Sequence, residues 1–302
     1  MKLKIKEHQN KITLLILICV LILLTVIGSL YDYEISSLVY LGETPSDNLF
    51  GIIFAFIGII PTFVGWSFLG SSILFFSNQK GHTKRKRYLL TALAVLLFVL
   101  SFFYFCNTLF LVNERAFPVH WAIAYSIGVI TIVLVAMLGY KLTQKSNNPN
   151  LLKMVLTLTF VSLITMLIIM ITKEIMDRPR FRFIEQMNNA DLFINWWQNG
   201  KHLKDQLQTQ IVSDEFSSFP SGHSAYSMFA IFIFPLLSEY CPKLKKHPFF
   251  LFLLGLLWWV LTAFSRITVG AHYLTDVSIA GLITIVVYAT TCEVKHLLKN
   301  RK

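Results

Sequence analysis

His272 and Asp276 lie four residues apart within Ser265–Asp276, a polar stretch between two long apolar runs of this chain. If the chain is helical after Gly270, both side chains share one helix face, and the carboxylate can hold the imidazole in an activated state. Arg266 opens the same stretch. Ionisable residues beside membrane spans are costly unless they face an interior or a wet site, so the cluster reads as functional by default. Two further stretches carry similar groups. Lys173 and Arg180 are seven residues apart, two helical turns, and both can project towards one anion provided that Pro179 does not end the helix first. Phe219-Pro220-Ser221-Gly222-His223 precedes an apolar run, where a helix start offers backbone N–H groups to a phosphate beside a histidine able to give a proton. Each stretch alone also has a plainer explanation: cations snorkelling at a span end, an ordinary helix start, an interfacial ion pair. Taken together, two histidines, two or three cations and a carboxylate fit phosphoryl transfer. Cations neutralise the equatorial oxygens, one histidine attacks in line and the other protonates the leaving oxygen.

Long apolar helices must position these groups. The chain has 302 residues, of which 55% are hydrophobic and 14% charged, with a mean hydropathy of +0.62. Such a composition is that of a membrane protein rather than a soluble fold. Apolar runs at Ile12–Leu30, Leu49–Phe76, Tyr88–Val112, Val119–Tyr140, Leu151–Thr172, Ser224–Leu237, Phe249–Ser265 and Tyr273–Thr291 predict an all-α polytopic helical bundle with about eight transmembrane helices. The net charge of +11 does not call for nucleic acid, because the basic residues cluster between apolar runs. With alternate connections placed inside, the segments 1–11, 78–90, 141–153, 240–247 and 293–302 hold 19 of the 27 Lys and Arg. That bias predicts cytoplasmic termini and puts the three histidine-bearing or basic stretches together on the extracytoplasmic side. A cleaved signal peptide is disfavoured by the length of the first apolar run. Residues 31–48, with acidic but no basic side chains, are expected to form an outside loop. The long polar connection from Lys173 to Ser221 contains Trp196-Trp197, an interfacial pair read as a lid or headgroup-level element. Four scattered cysteines show no metal-ligand spacing. No repeat or linker divides the chain, so one membrane domain over 1–302 is expected.

The three stretches resemble the signature of the type 2 phosphatidic acid phosphatase superfamily, which runs K-x6-R-P, then P-S-G-H, then S-R-x5-H-x3-D. Lys173 and Arg180 match the first by spacing, Pro220 to His223 match the second, and Ser265, Arg266, His272 and Asp276 match the third. One position departs: Phe181 stands where the pattern has proline, while an Arg-Pro pair occurs two residues early at Arg178-Pro179, which leaves Arg178 as the alternative phosphate ligand. The resemblance spans about Leu151–Thr291, making 151–302 the motif-bearing part, and implies a six-helix core, with two helices of the 1–150 segment, such as those of Tyr88–Tyr140, as additions.

It further implies an integral membrane enzyme of the plasma membrane that hydrolyses a lipid phosphate or diphosphate, such as phosphatidic acid, phosphatidylglycerophosphate or a polyprenyl diphosphate. By this resemblance His272 is the nucleophile, Asp276 sets its tautomer, and His223 is the general acid. Lys173, Arg180, Ser221, Gly222 and Arg266 hold the phosphoryl oxygens, and no metal or other cofactor is required because cations already supply the charge. A lipid phosphotransferase using the same histidine, or a non-catalytic lipid-phosphate binding or transport protein, are the alternatives.

Overall fold

The computed structural model describes residues 2–115, 121–207 and 214–300. The first residues of the expected span Val119–Tyr140, and positions 208–213 of the long polar connection, lie outside the described residues. Among the described residues all regular elements are helical: α1 (Lys2–Val39), α2 (Leu49–Ile57), α3 (Ile60–Ser77), α4 (Lys84–Arg115), α5 (Trp121–Lys145), α6 (Leu151–Met176), α7 (Phe181–Met187), α8 (Lys201–Leu207), α9 (Gly222–Met228), α10 (Ala230–Tyr240), α11 (Pro248–Thr268) and α12 (Leu274–Asn300), with short 3-10 turns between some of them. Among the described residues seven stretches are long and apolar enough to cross a membrane. This is the expected all-α polytopic bundle. The expected span at Ser224–Leu237 is also helical, but it is divided at Phe229 into α9 and α10, of 7 and 11 residues.

Two expectations change. The outside loop placed at 31–48 is helical as far as Val39, with α1 bending at Tyr31, where φ is −137° and ψ is 21°. A polar composition does not end a helix by itself, because a helix stops at breakers and caps, and Gly42 with φ +107° comes only after Val39. The helix carrying Lys173, by contrast, stops at Met176. Asp177 takes a left-handed conformation with φ +43°, and Pro179 disfavours helical geometry at Arg178. Lys173 and Arg180 therefore do not lie two turns apart on one helix.

The chain forms two compact units: residues 1–51, 164–225 and 263–302, and residues 52–163 and 226–262. In the second unit, small residues let helices approach and hydroxyls join them, as suits association in lipid. A Cβ at Gly70 of α3 would lie 3.2 Å from the Ala94 carbonyl of α4. Ser67 pairs with Ser101 at 2.7 Å, Thr143 of α5 donates to Ser72 at 2.8 Å, and Trp66 Nε1 donates to Ser162 of α6 at 3.0 Å. The first unit holds all three chemistry-bearing stretches. Its core includes an aromatic cluster of Phe181, Phe183, Phe216 and Tyr273, joined by Ile184 and Leu192. The described parts of the connection from Lys173 to Ser221, 173–207 and 214–221, thus fold into short helices around apolar anchors.

Candidate active site

His272 sits in the turn between α11 and α12. At the end of α11 the Arg266 carbonyl accepts the N–H groups of Ala271 and His272, at 3.1 and 3.2 Å. Gly270 makes this corner possible with φ +64°, and a Cβ there would lie 2.8 Å from the Arg182 nitrogen, whose N–H donates to the Gly270 carbonyl. Helix α12 then opens with Asp276 in its first turn, and the Asp276 carboxylate accepts the Tyr273 N–H at 2.9 Å, in the manner of the returning half of a capping box. His272 therefore precedes the helix on whose face it was expected.

The imidazole is 3% exposed. Its Nδ1 lies 2.5 Å from the carbonyl oxygen of Ser218. A carbonyl only accepts, so Nδ1 carries the proton, and in the neutral ring the lone pair is on Nε2. Asp276 was expected to set this tautomer, but its Oδ2 stands 3.8 Å from Nδ1, beyond a hydrogen bond, so the Ser218 carbonyl has that task. Burial pulls the His272 pKa down to about 3, and the cations Lys173 and Arg180 act in the same direction, against the pull of Asp276. The ring is consequently neutral at ordinary pH, the form a nucleophile requires.

Asp276 is itself held by four side chain or backbone groups. Arg178 Nη1 donates to Oδ1 at 2.6 Å, and Oδ2 accepts from Ser218 Oγ at 2.5 Å as well as from the Tyr273 N–H. On the backbone, the Ser221 N–H donates to the Asp276 carbonyl at 3.1 Å. The segment before α9 is in this way clamped to the first turn of α12. Ser224 Oγ adds a bond to the Val277 carbonyl at 2.6 Å. Ser221 is buried, and its hydroxyl accepts the Ser224 N–H at 3.3 Å as the cap of α9. Gly222 begins that helix, with half-buried His223 in its first turn.

Lys173, in the last turn of α6, donates through Nζ to the Ser217 carbonyl. It interacts electrostatically with Arg180, Arg266 and Asp276. Arg180 precedes α7 in an extended conformation, and its backbone N–H donates to the Glu215 carbonyl at 2.8 Å. Its Nη1 and Nη2 meet the two oxygens of Asp214 at 2.8 and 3.2 Å, while Nε is buried without a hydrogen-bond partner among the described residues. Such a fork is the geometry with which arginine grips a carboxylate or a phosphate. Arg266 is buried at the end of α11.

The PAP2 superfamily profile matches residues 150–297, which include all eight residues singled out by spacing. Residues 150–297 belong to the PAP2 superfamily. No curated protein and no solved structure matches the chain. Members of the PAP2 superfamily are phosphatases, and the match together with the apolar helices fits a membrane lipid phosphatase in general.

The departure from the PAP2 pattern at Phe181 and the nearby Arg178 each have a physical account. Phe181, in place of proline, is fully buried and meets Tyr33 and Tyr40 edge-on at 5.6 and 5.5 Å, filling a hole that a proline ring would leave. Arg178 is not an alternative phosphate ligand, because it is 0% exposed and bonded to the protein through all three of its nitrogens. Besides Asp276 it donates through Nη2 to Asp32 at 3.0 Å, through Nη1 to Thr275 Oγ1 at 2.9 Å, and through Nε to the Ile194 carbonyl at 3.0 Å. Sequence reasoning missed Ser218, Thr275, Asp214 and Asp32. Only Asp32 carried a signal, as an acid close to the end of an apolar run. Trp196 was read as an interfacial or lid residue. It stacks on Phe219 with ring centroids 5.7 Å apart, and its Nε1 donates to Ser29 Oγ at 2.9 Å, bracing the segment before α9.

Proposed function

We propose that this PAP2 chain is an integral membrane phosphatase that hydrolyses a lipid phosphate or diphosphate at the extracytoplasmic face of the cell membrane, through a phosphohistidine on His272. The observation that carries this reading is the fixed tautomer of His272, with Nδ1 committed to the Ser218 carbonyl and Nε2 left as the nucleophilic nitrogen. In the first step the Nε2 lone pair forms the N–P bond while the bond from phosphorus to the leaving oxygen breaks, and His223 gives that oxygen a proton. The phosphorylated ring, still protonated at Nδ1, carries positive charge, which the nearby Asp276 carboxylate stabilises. Water then attacks phosphorus, loses its proton to His223, and returns Nε2 its lone pair. Lys173, Arg180, Arg266, the Ser221 hydroxyl and the Gly222 amide would bear the charge on the phosphoryl oxygens. The charge asymmetry of the connections supports an extracytoplasmic site with both termini cytoplasmic.

The test is rapid quenching of purified protein with radiolabelled phosphatidic acid, phosphatidylglycerophosphate or a polyprenyl diphosphate. An acid-labile, alkali-stable phosphoenzyme should form with at least one of them and be lost in His272→Gln, together with phosphate release. Full turnover in His272→Gln would sink the mechanism. Transfer of label to an alcohol acceptor in preference to water would make the chain a phosphotransferase instead.

A further inference from the structure

The Asp276 carboxylate can balance positive charge on the His272 ring only to the extent that its own charge is not consumed elsewhere. Arg178 lies directly against it, with Nη1 2.6 Å from Asp276 Oδ1 and both side chains at 0% exposure. A buried guanidinium at that distance would cancel most of the field that Asp276 exerts on the imidazole. A second carboxylate offsets it. Asp32 of α1 reaches the opposite side of the same guanidinium, with Oδ2 3.0 Å from Arg178 Nη2, and it is 2% exposed. The three side chains carry two negative charges and one positive, so the cluster beside His272 keeps a net negative charge.

Asp32 is also built into the start of the helix that carries Asp276. Its Oδ1 accepts the Thr275 N–H at 3.0 Å, and its Oδ2 accepts from the Thr275 hydroxyl. That N–H belongs to the first turn of α12, where no intrahelical acceptor exists, so a side chain from α1 caps α12. The approach depends on Gly28, where a Cβ would lie 2.8 Å from Asp32 Oδ1 and 2.9 Å from Thr275 Cγ2. One turn away, Ser29 accepts from Trp196, which stacks on Phe219. Residues 28–32 of α1 therefore touch two of the catalytic stretches, although they lie outside the matched region 150–297.

Resting on the phosphohistidine reading, we infer that Asp32 is a positioning residue of the active site: it neutralises Arg178 and caps α12, leaving Asp276 free to stabilise charge on His272. This assigns a role in the chemistry to the first transmembrane helix.

The experiment compares kcat, KM and vanadate affinity of full-length protein in detergent, each preparation checked by thermal unfolding. Asp32→Asn keeps the shape and an acceptor for the Thr275 amide but removes the charge. The expected result is a fall in kcat of about tenfold with KM within about twofold, as for an interaction that matters mainly in the transition state. A purely structural role predicts near-normal kcat for Asp32→Asn and loss only in Asp32→Ala. In the Asp276→Asn background the same Asp32→Asn change should cost less than about twofold, because the carboxylate through which it acts is gone. Equal losses in both backgrounds, or unchanged kcat in Asp32→Asn, would overturn the inference while leaving the phosphatase reading intact. Should Asp32→Asn not fold, Asp32→Glu keeps the charge beside Arg178, and kcat within about threefold of wild type is expected. A folded Asp32→Glu with a tenth of that rate or less would equally overturn it. Wild-type protein that neither turns over any lipid phosphate nor binds vanadate would refute the phosphatase reading, and the role of Asp32 with it.

Discussion

Replacing Arg178 should break the fold of the site, whereas replacing Arg180 should break only its grip on phosphate. Arg178→Met keeps much of the side chain volume but removes every donor of the guanidinium. The loss is large, since Asp32 and Asp276 would each stay buried at 2% exposure or less without their counterion, and the Ile194 carbonyl and Thr275 hydroxyl would lose a donor. Removing one partner of a buried ion pair costs about 3–5 kcal/mol. For a chain of this size that corresponds to a fall in apparent Tm of roughly 6–20 °C. Thermal unfolding in detergent, followed by the fluorescence of the six tryptophans, reads this directly. Arg180→Met should unfold within about 3 °C of wild type, because its guanidinium meets mainly an exposed carboxylate, 64% accessible, in a pair worth about 1 kcal/mol or less. Its kcat/KM should fall about 10- to 100-fold through the loss of charge-assisted bonds to the substrate. The reasoning is refuted if the behaviours are exchanged, with Arg178→Met folding normally and failing in substrate binding.

Three other outcomes follow from the same geometry. Asp214→Asn should lower KM about two- to fivefold with kcat nearly unchanged, since the carboxylate occupying the Arg180 fork competes there with the substrate phosphate; Michaelis curves for the two proteins decide this. His272 is neutral in the folded protein down to about pH 3 but has a pKa near 6.5 when unfolded, so the unfolded state binds the extra proton between these values. The stability due to this group is complete above about pH 6.5 and lost as pH falls towards 3, so between pH 7 and pH 4.5 wild type should lose up to about 3 kcal/mol relative to His272→Gln, measured by thermal unfolding. Gly28→Val should lower stability by about 1–3 kcal/mol and reduce kcat with it, by forcing Asp32 away from Thr275; near-normal unfolding and turnover would show that α1 does not hold the site.

The sequence alone determined the membrane character, the helical class and the residues of the three stretches. Those depend on local composition and spacing, and apolar runs of about 20 residues have few other outcomes in a chain this rich in hydrophobic side chains. It also pointed to Arg180 over Arg178 by spacing, although the helix invoked to align Arg180 with Lys173 ends at Met176. Tertiary structure decided what each group does to its neighbours. That Ser218 rather than Asp276 fixes the His272 tautomer depends on a backbone carbonyl 54 positions away in the chain, and carbonyls leave no trace in residue types. The place of Phe181 depends on Tyr33 and Tyr40, brought to it from α1. Asp32 read as one acid among several in an outside loop, and its importance comes from a contact across 146 positions with a buried arginine. Spacing encodes which groups share a helix. The field at a buried nitrogen depends on every charge folded around it, and that is a property of the packed structure.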